Sequence, residues 1–449
     1  MNTFKKLILS TGIICSFGTQ PALAEIYDLA QLYQSAINYD ADIAAAESAF
    51  KAEKEQESSA LAGLLPQLDA NASKGFVDRE VKQGSGTSDS YESTAYGLTL
   101  TQPLLSMPSW YTLSAAEYGS ARAEADYLSA QQDLILKVAE AYFDVLRAEV
   151  DLTASRALET AVKRQYEQAK EQFDVGLIAI TDVHEAKASY DSSQTTRIRA
   201  EGALTVARET LSRITGQYAT QLKGLSEEFP ISIDPNQNIE SWVASALENN
   251  LSVIAARFGV KALEADYKAK HSGHYPTLTL TAGINDTTLD NYKQQGTVNG
   301  TSEAEESNIA LNFNLPLYSG GATHAASKRS RYLAEQARHQ LTAAQRAAEI
   351  QTRAEYINLR TNVQTVASLQ QNIISRESAL EATREGYNVG TRNIVEVLDA
   401  ERNYFTALRD HASARFDFVI SSLKVRQAAG TLHENDIEKI NSYLEANSN

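Results

Sequence analysis

The stretch "SNIALNFNLPLYS" at 307–319 sets Ile309, Leu311, Phe313 and Leu315 against Asn308, Ala310, Asn312 and Asn314. Successive side chains of a strand point to opposite faces, so this pattern predicts a strand with one apolar and one amide-rich face. "PTLTLTAGINDTTLDNY" (276–292) begins the same way, with Leu278, Leu280 and Ala282 opposite Thr277, Thr279 and Thr281. "YGLTLTQPL" (96–104) repeats it with Leu98 and Leu100, and "QLDANASKGFV" (67–77) is a weaker fourth. Four strands are therefore expected, at about 67–79, 92–103, 277–288 and 306–317. A tilted strand needs roughly 9–11 residues to cross a bilayer, so each is long enough, with the apolar face toward lipid and the Asn/Thr face toward water. The stretches between the pairs, 79–92 and 286–306, are rich in Gly, Ser, Thr, Asp and Glu and suit an extracellular rim.

The strands alternate with long helices. Ser109–Gln172 and Ala322–Gly386 contain no proline and are dominated by Ala, Glu, Gln, Arg and Leu; 183–214 and 394–429 add a further helix each. Leu134, Val138, Ala141, Val145 and Ala148 recur at three and four, a coiled-coil-like spacing with small residues that allow close approach. A coiled-coil rod or a periplasmic coiled-coil adaptor would share these helices. Neither needs strands with a continuous apolar face.

The plan also occurs twice. "FDVGLIAITD" (173–182) is echoed by "YNVGTRNIVE" (387–396), "LTLTQPLLS" (98–106) by "LNFNLPLYS" (311–319), and residues 36–70 by 246–280, all at offsets of 210 to 214. Three matches in register read as an internal duplication. The first repeat is 25–226, the second 241–430; the proline-containing "EEFPISIDPNQNIE" (227–240) links them, and 431–449 forms a C-terminal tail.

Lys5 and Lys6, an apolar run from Leu7 to Phe17 and Ala22-Leu23-Ala24 make residues 1–24 a secretory signal peptide, cut before Glu25. The single cysteine, Cys15, lies inside it after Ile14, which argues against a lipid anchor and leaves the exported chain without disulfides or a thiolate metal site. The formal net charge of -16 argues against nucleic acid as a partner. No later segment offers a transmembrane helix. His271 and His274 lack the carboxylate or cysteine company of a metal site, and no catalytic triad or phosphate loop stands out, so neither cofactor, metal nor enzymatic activity is expected.

Four strands cannot close a barrel, and an open edge in hydrocarbon leaves backbone groups unpaired. The chain must oligomerise. Closure takes at least about 8 strands, which two copies reach and three exceed. The paired Val-Gly turns, the proline-marked strand-to-helix junctions and the duplicated plan resemble the outer membrane efflux protein family over essentially all of 25 to about 435. That resemblance implies a homotrimer with one shared 12-stranded β-barrel, four strands per chain, continuous with a helical coiled-coil tunnel across the periplasm of a Gram-negative cell. It implies docking on a periplasmic adaptor (membrane fusion) protein and an inner-membrane RND or ABC transporter, with export of small molecules and, in type I secretion, unfolded proteins.

The two Val-Gly phrases carry the candidate site. Gly176 and Gly390 suit a left-handed turn after a helix C-terminus. Asp182 with Glu185, and Asn393 with Glu396, are possible capping boxes. Glu396 and Asp399, three apart, share a helix face, so copies around an axis would stack two carboxylate rings that attract cations and raise one another's pKa. The resemblance marks these two as the periplasmic constriction, where the family pattern has Asp at the position of Glu396. It further implies links from Arg392 to Thr181 and from Tyr387 to Asp182 that hold the inner helices on the outer ones. It places adaptor contacts at Val175-Gly176-Leu177 and Val389-Gly390-Thr391.

Overall fold

A computed structural model describes residues 26–79, 82, 89–234, 237–291, 293–294, 297–298 and 300–446. The expected leader, 1–24, and parts of both rim stretches lie outside the described residues. In chain order the first repeat runs β1 (Ile26–Tyr27), α1 (Leu29–Tyr39), α2 (Ala41–Ala62), β2 (Gln67–Arg79), β3 (Asp89–Leu105), α3 (Met107–Asp174), α4 (Ile180–Thr215) and β4 (Gln221–Leu225). The second runs α5 (Ile239–Asn249), α6 (Leu251–His271), β5 (Thr277–Asp290), the short β6 (Lys293–Gln294) and β7 (Thr297–Val298), β8 (Ser302–Asn314), α7 (Ala322–Asn388) and α8 (Ile394–Ala428). The tail folds as α9 (Glu434–Asn441) and β9 (Leu444–Ala446).

Strands β2, β3, β5 and β8 form one antiparallel sheet in that order, so the two repeats meet at its centre through β3 and β5. Leu68 lies opposite Leu100, Leu100 opposite Ala282, and Ala282 opposite Ile309. One residue along, Asp69, Thr99, Gly283 and Asn308 are aligned in the same way. Since a one-residue slip would turn every side chain over, this register makes one face apolar and the other polar across all four strands. Leu68, Leu98, Leu311 and Phe313 are exposed, and Ile309 is 81% exposed. Several strand ends differ from expectation, β3 running 89–105 and β5 to 290. The fourth strand is 302–314 rather than 306–317, stopping before Leu315-Pro316, where the ring removes a ladder donor. The second runs on through Pro103 to Leu105, with a bulge between them that absorbs the missing N–H.

The helix α3 has 68 residues, about 100 Å at 1.5 Å per residue. Its longest buried stretch is in the middle. There Tyr142 and Phe143 are fully covered, Phe143 packs on Phe416 of α8 at 5.6 Å, and Leu29, Leu32, Leu211, Leu423 and Ile437 complete a core from five helices. A small sheet caps this core: β4 lies parallel to β1 and antiparallel to β9, which brings both ends of the described chain to the join between repeats. The Tyr142 hydroxyl donates to the Lys223 carbonyl of β4 at 2.6 Å, and burial pushes its pKa up.

Charged pairs tie α8 to α3 alongside this core: Arg147 with Asp417 (2.5 Å), Lys424 with Glu140 (2.7 Å) and Arg409 with Asp151 (3.4 Å). The hairpin of α3 and α4 is laced further, by Arg197 with Glu159 (2.6 Å), Arg208 with Glu149 (2.9 Å) and Arg156 with Glu201 (3.0 Å).

Asp40 supplies a test of these electrostatics. It caps α2 by accepting from the N–H groups of Asp42 and Ile43, and it pairs with Lys137 at 2.7 Å. Burial pushes its carboxyl up, but the Lys137 ammonium and the two N–H donors outweigh that and leave it below the ordinary aspartate value. A depressed folded pKa means stabilisation that is complete above the unfolded value, about 4, and lost as pH falls through the folded value. Asp40→Ala should therefore lower stability by about 1 kcal/mol at neutral pH, as for loss of a helix cap. Thermal unfolding should show the difference shrinking below pH 4; an equal difference at pH 2 would contradict the assignment.

Candidate gate at the lower turns

Both long helices end in the same hydrogen-bonded turn. Leu177 N–H donates to the Gln172 carbonyl at 2.8 Å and Gly176 N–H to Phe173 at 2.8 Å; Thr391 donates to Gly386 at 2.8 Å and Gly390 to Tyr387 at 3.0 Å. These paired bonds are the Schellman arrangement, which needs a left-handed residue after the cap. Gly176 and Gly390 provide it, with φ of 80° and 77°. Val175, Leu177 and Val389 stand exposed at the tips.

The following helices start differently. In α8 Asn393 is the cap, its Oδ1 accepting from Glu396 N–H at 2.9 Å. The reciprocal arm of the expected box is absent, because the Glu396 carboxylate turns to Arg392 instead. In α4 the cap position is Ala179, with no side-chain bond, so Asp182 is a first-turn acid rather than the expected cap. There its charge favours the helix N-terminus.

The four link residues do not pair within the protomer as expected. Arg392 donates to Glu396 one turn on, at 2.5 Å, and its stem lies against Gly386, where a Cβ would come within 2.7 Å of Arg392 Cγ. Among the described residues, neither Arg392 nor Thr181 has a hydrogen bond joining it to the other. Tyr387 does reach the α3–α4 hairpin, but its hydroxyl donates to Gln172 Oε1 at 2.9 Å rather than to Asp182. Burial and the nearby Asp182 charge both raise the Tyr387 pKa. The local fit is otherwise apolar: Ile394 and Leu398 of α8 pack with Val162 and Ala169 of α3 and Ala186 of α4, beside the stacked pair Tyr166 and Tyr190.

Both candidate ring acids are half-buried on α8, and each has an arginine on its own helix or the turn before it. Asp399 accepts from Arg402 at 2.6 Å. The Arg392 guanidinium holds the Glu396 carboxyl below the usual carboxylate range, the opposite direction to the shift that like charges alone would give. Glu396 is thus an anion in the protomer. Gln172, Gly386 and Arg402 complete these contacts, and among them only Gly386, six residues before Arg392, carries a local sequence signal. His271, elsewhere, contacts Ser327 at 3.3 Å and lies edge-on to Tyr275.

A two-faced sheet whose outer edges are unpaired among the described residues, carried on duplicated helical hairpins with acids near their tips, defines an outer-membrane efflux channel. The outer membrane efflux protein model matches residues 32–217 and 242–431, one match for each repeat, and the chain belongs to that family. Its relatives include Outer membrane protein TolC of Vibrio cholerae serotype O1, 35% identical over 98% of this chain and 99% of that protein. Proteases secretion protein PrtF of Dickeya chrysanthemi is 24% identical over 98% of this chain and 96% of its own. The solved CmeC outer membrane channel of Campylobacter jejuni shares the fold, with a TM-score of 0.76 at 18% identity, over 93% of this chain and 90% of that one. Like its relatives, the chain is a protein of the Gram-negative outer membrane.

Proposed function

We propose that the protein is a passive exit duct for efflux and type I secretion, a homotrimer whose three sheets close one barrel of 12 strands. The observation that carries this is the sheet itself. Its apolar face is bare, its polar face is continuous, and the outer edges of β2 and β8 are unpaired among the described residues. Such edges are tolerated in lipid only when another copy completes the ladder. No helix among the described residues is long and apolar enough to cross a membrane, so the sheet is the part of the fold suited to lipid.

The lower turns act as the gate. Three copies of Glu396 and Asp399 form stacked acidic rings, and Tyr387, with Arg392, holds the inner pair α7–α8 near the outer pair α3–α4. Opening follows engagement of the exposed tips at Val175-Gly176-Leu177 and Val389-Gly390-Thr391 by a periplasmic adaptor and an inner-membrane RND or ABC transporter. In the trimer Arg392 must leave Glu396 to reach Thr181, an exchange between solvent-accessible partners that costs little. The chain performs no catalysis; energy and substrate choice come from the attached pump. Purified protein in planar bilayers should give discrete, cation-selective channels. A preparation of intact trimers that never conducts would overturn the duct.

A further inference from the structure

One carboxylate near the gate has no part in these rings. Glu401 of α8 is only 1% exposed. Its Oε1 accepts from Arg384 of α7 at 2.8 Å, while its Oε2 is buried with no hydrogen-bond partner among the described residues. The Arg384 side chain is 46% exposed. Glu401 therefore continues the buried stripe of α8, after Ile394, Val397 and Leu398, at a position where helix seams are ordinarily apolar.

A charge in a seam is a poor choice for stability. Replacing a buried ion pair with well-packed apolar side chains is often neutral or stabilising, and the best-attested use of a polar seam residue is to fix register. Here register has a specific consequence. At 3.6 residues per turn, Asp399 lies about 160° around the helix from Glu401, and Glu396 about 140°. Anchoring Glu401 on Arg384 turns both ring acids away from α7. A slip or rotation of α8 on α7 would move the rings; Asn362 of α7 holds Ser421 of α8 at 3.1 Å farther along, and the hydrogen bond to Glu401 resists such movement close to the rings.

We infer that Arg384 and Glu401 are positioning residues of the gate: their buried pair sets the rotation of α8 on α7 and so the radius and alignment of the Glu396 and Asp399 rings. The inference rests on the duct reading above. It separates from a merely structural role because the apolar variant should keep the fold and lose the alignment.

The test is single-channel recording of purified trimers of wild type, Glu401→Leu, Arg384→Gln and the exchange Arg384→Glu with Glu401→Arg, alongside thermal unfolding of each. Glu401→Leu should unfold no earlier than wild type, yet conduct several-fold more and need several-fold more trivalent cation for half-block. Arg384→Gln should shift both in the same direction, and the exchange should bring both back toward wild type. Glu401→Leu trimers with wild-type conductance and block would overturn the inference. If Glu401→Leu fails to assemble, Arg384→Gln with unchanged conductance would overturn it equally. A wild-type protein that forms no channel would instead refute the duct itself.

Discussion

Replacing Glu396 and Asp399 together by alanine is expected to abolish the cation preference of the channel and its block by multivalent cations. At 4 Å and an effective dielectric of about 20, one pair of unit charges interacts by about 4 kcal/mol. Losing even a third of one such contact raises the half-blocking concentration about tenfold, since 1.4 kcal/mol is a factor of ten. The protomer sharpens the expectation. Each acid stands beside an arginine, Arg392 or Arg402, and the double substitution leaves both cations behind. The tip should pass from acidic to basic, so reversal potentials in a salt gradient should move past neutral toward anions. A double variant that keeps the wild-type reversal potential and block would remove these residues from the gate. Single substitutions should fall between, because the remaining ring still attracts cations.

The second large effect is on assembly. Gly430 ends α8 in the left-handed region, with φ of 72°, and a Cβ there would sit 2.1 Å from the Asn249 carbonyl oxygen and 2.6 Å from Asn250 N. Those atoms belong to the turn between α5 and α6, and they cannot swing aside as a side chain would. The same turn and the last turn of α5 grip the helix end, with Asn250 Nδ2 donating to the Ala428 carbonyl at 2.9 Å and Ser245 Oγ to the Ala429 carbonyl at 3.2 Å. Gly430→Ala combines a positive-φ strain of roughly 1–3 kcal/mol with overpacking on the order of 1–3 kcal/mol. Yield of folded trimer and its unfolding midpoint should both drop sharply. Gly390→Ala is the control: its φ is 77°, but nothing lies within 4 Å of the added carbon, so only the strain applies. Equal losses in the two variants would show that the clash at Asn249 is relieved by movement.

Together these tests separate two parts of the molecule with different demands. Around Tyr142, Phe143 and Gly430 the helices are fixed by apolar packing, charged pairs and backbone contact. Toward the tips the α7–α8 hairpin touches the outer one through a small apolar cluster on α8 and the Tyr387–Gln172 bond from the end of α7. A segment that must move keeps contacts of that weaker kind.

Much of this was legible in sequence because it is local. Alternation places Leu278, Leu280, Ile309 and Leu311 on one face whatever surrounds them, since the strand period is two. Gly176 and Gly390 announce left-handed turns because other residues are strained there. The echo between 173–182 and 387–396 gives the duplication, and with it two hairpins and two pairs of strands. Tertiary structure decided which partners take part across the hairpins. Tyr387 finds Gln172 because the helices dock at that height, whereas Arg392 meets Glu396 through local i, i+4 spacing. The cap falls on Ala179 and Asn393, not Asp182, because the chain enters both helices at equivalent points of the repeat. Glu401 reads as one more acid in "AERNYF" (400–405) until α7 covers it. Periodicity fixes the face on which a residue stands, whereas a buried charge acquires its role only from the helix packed against it.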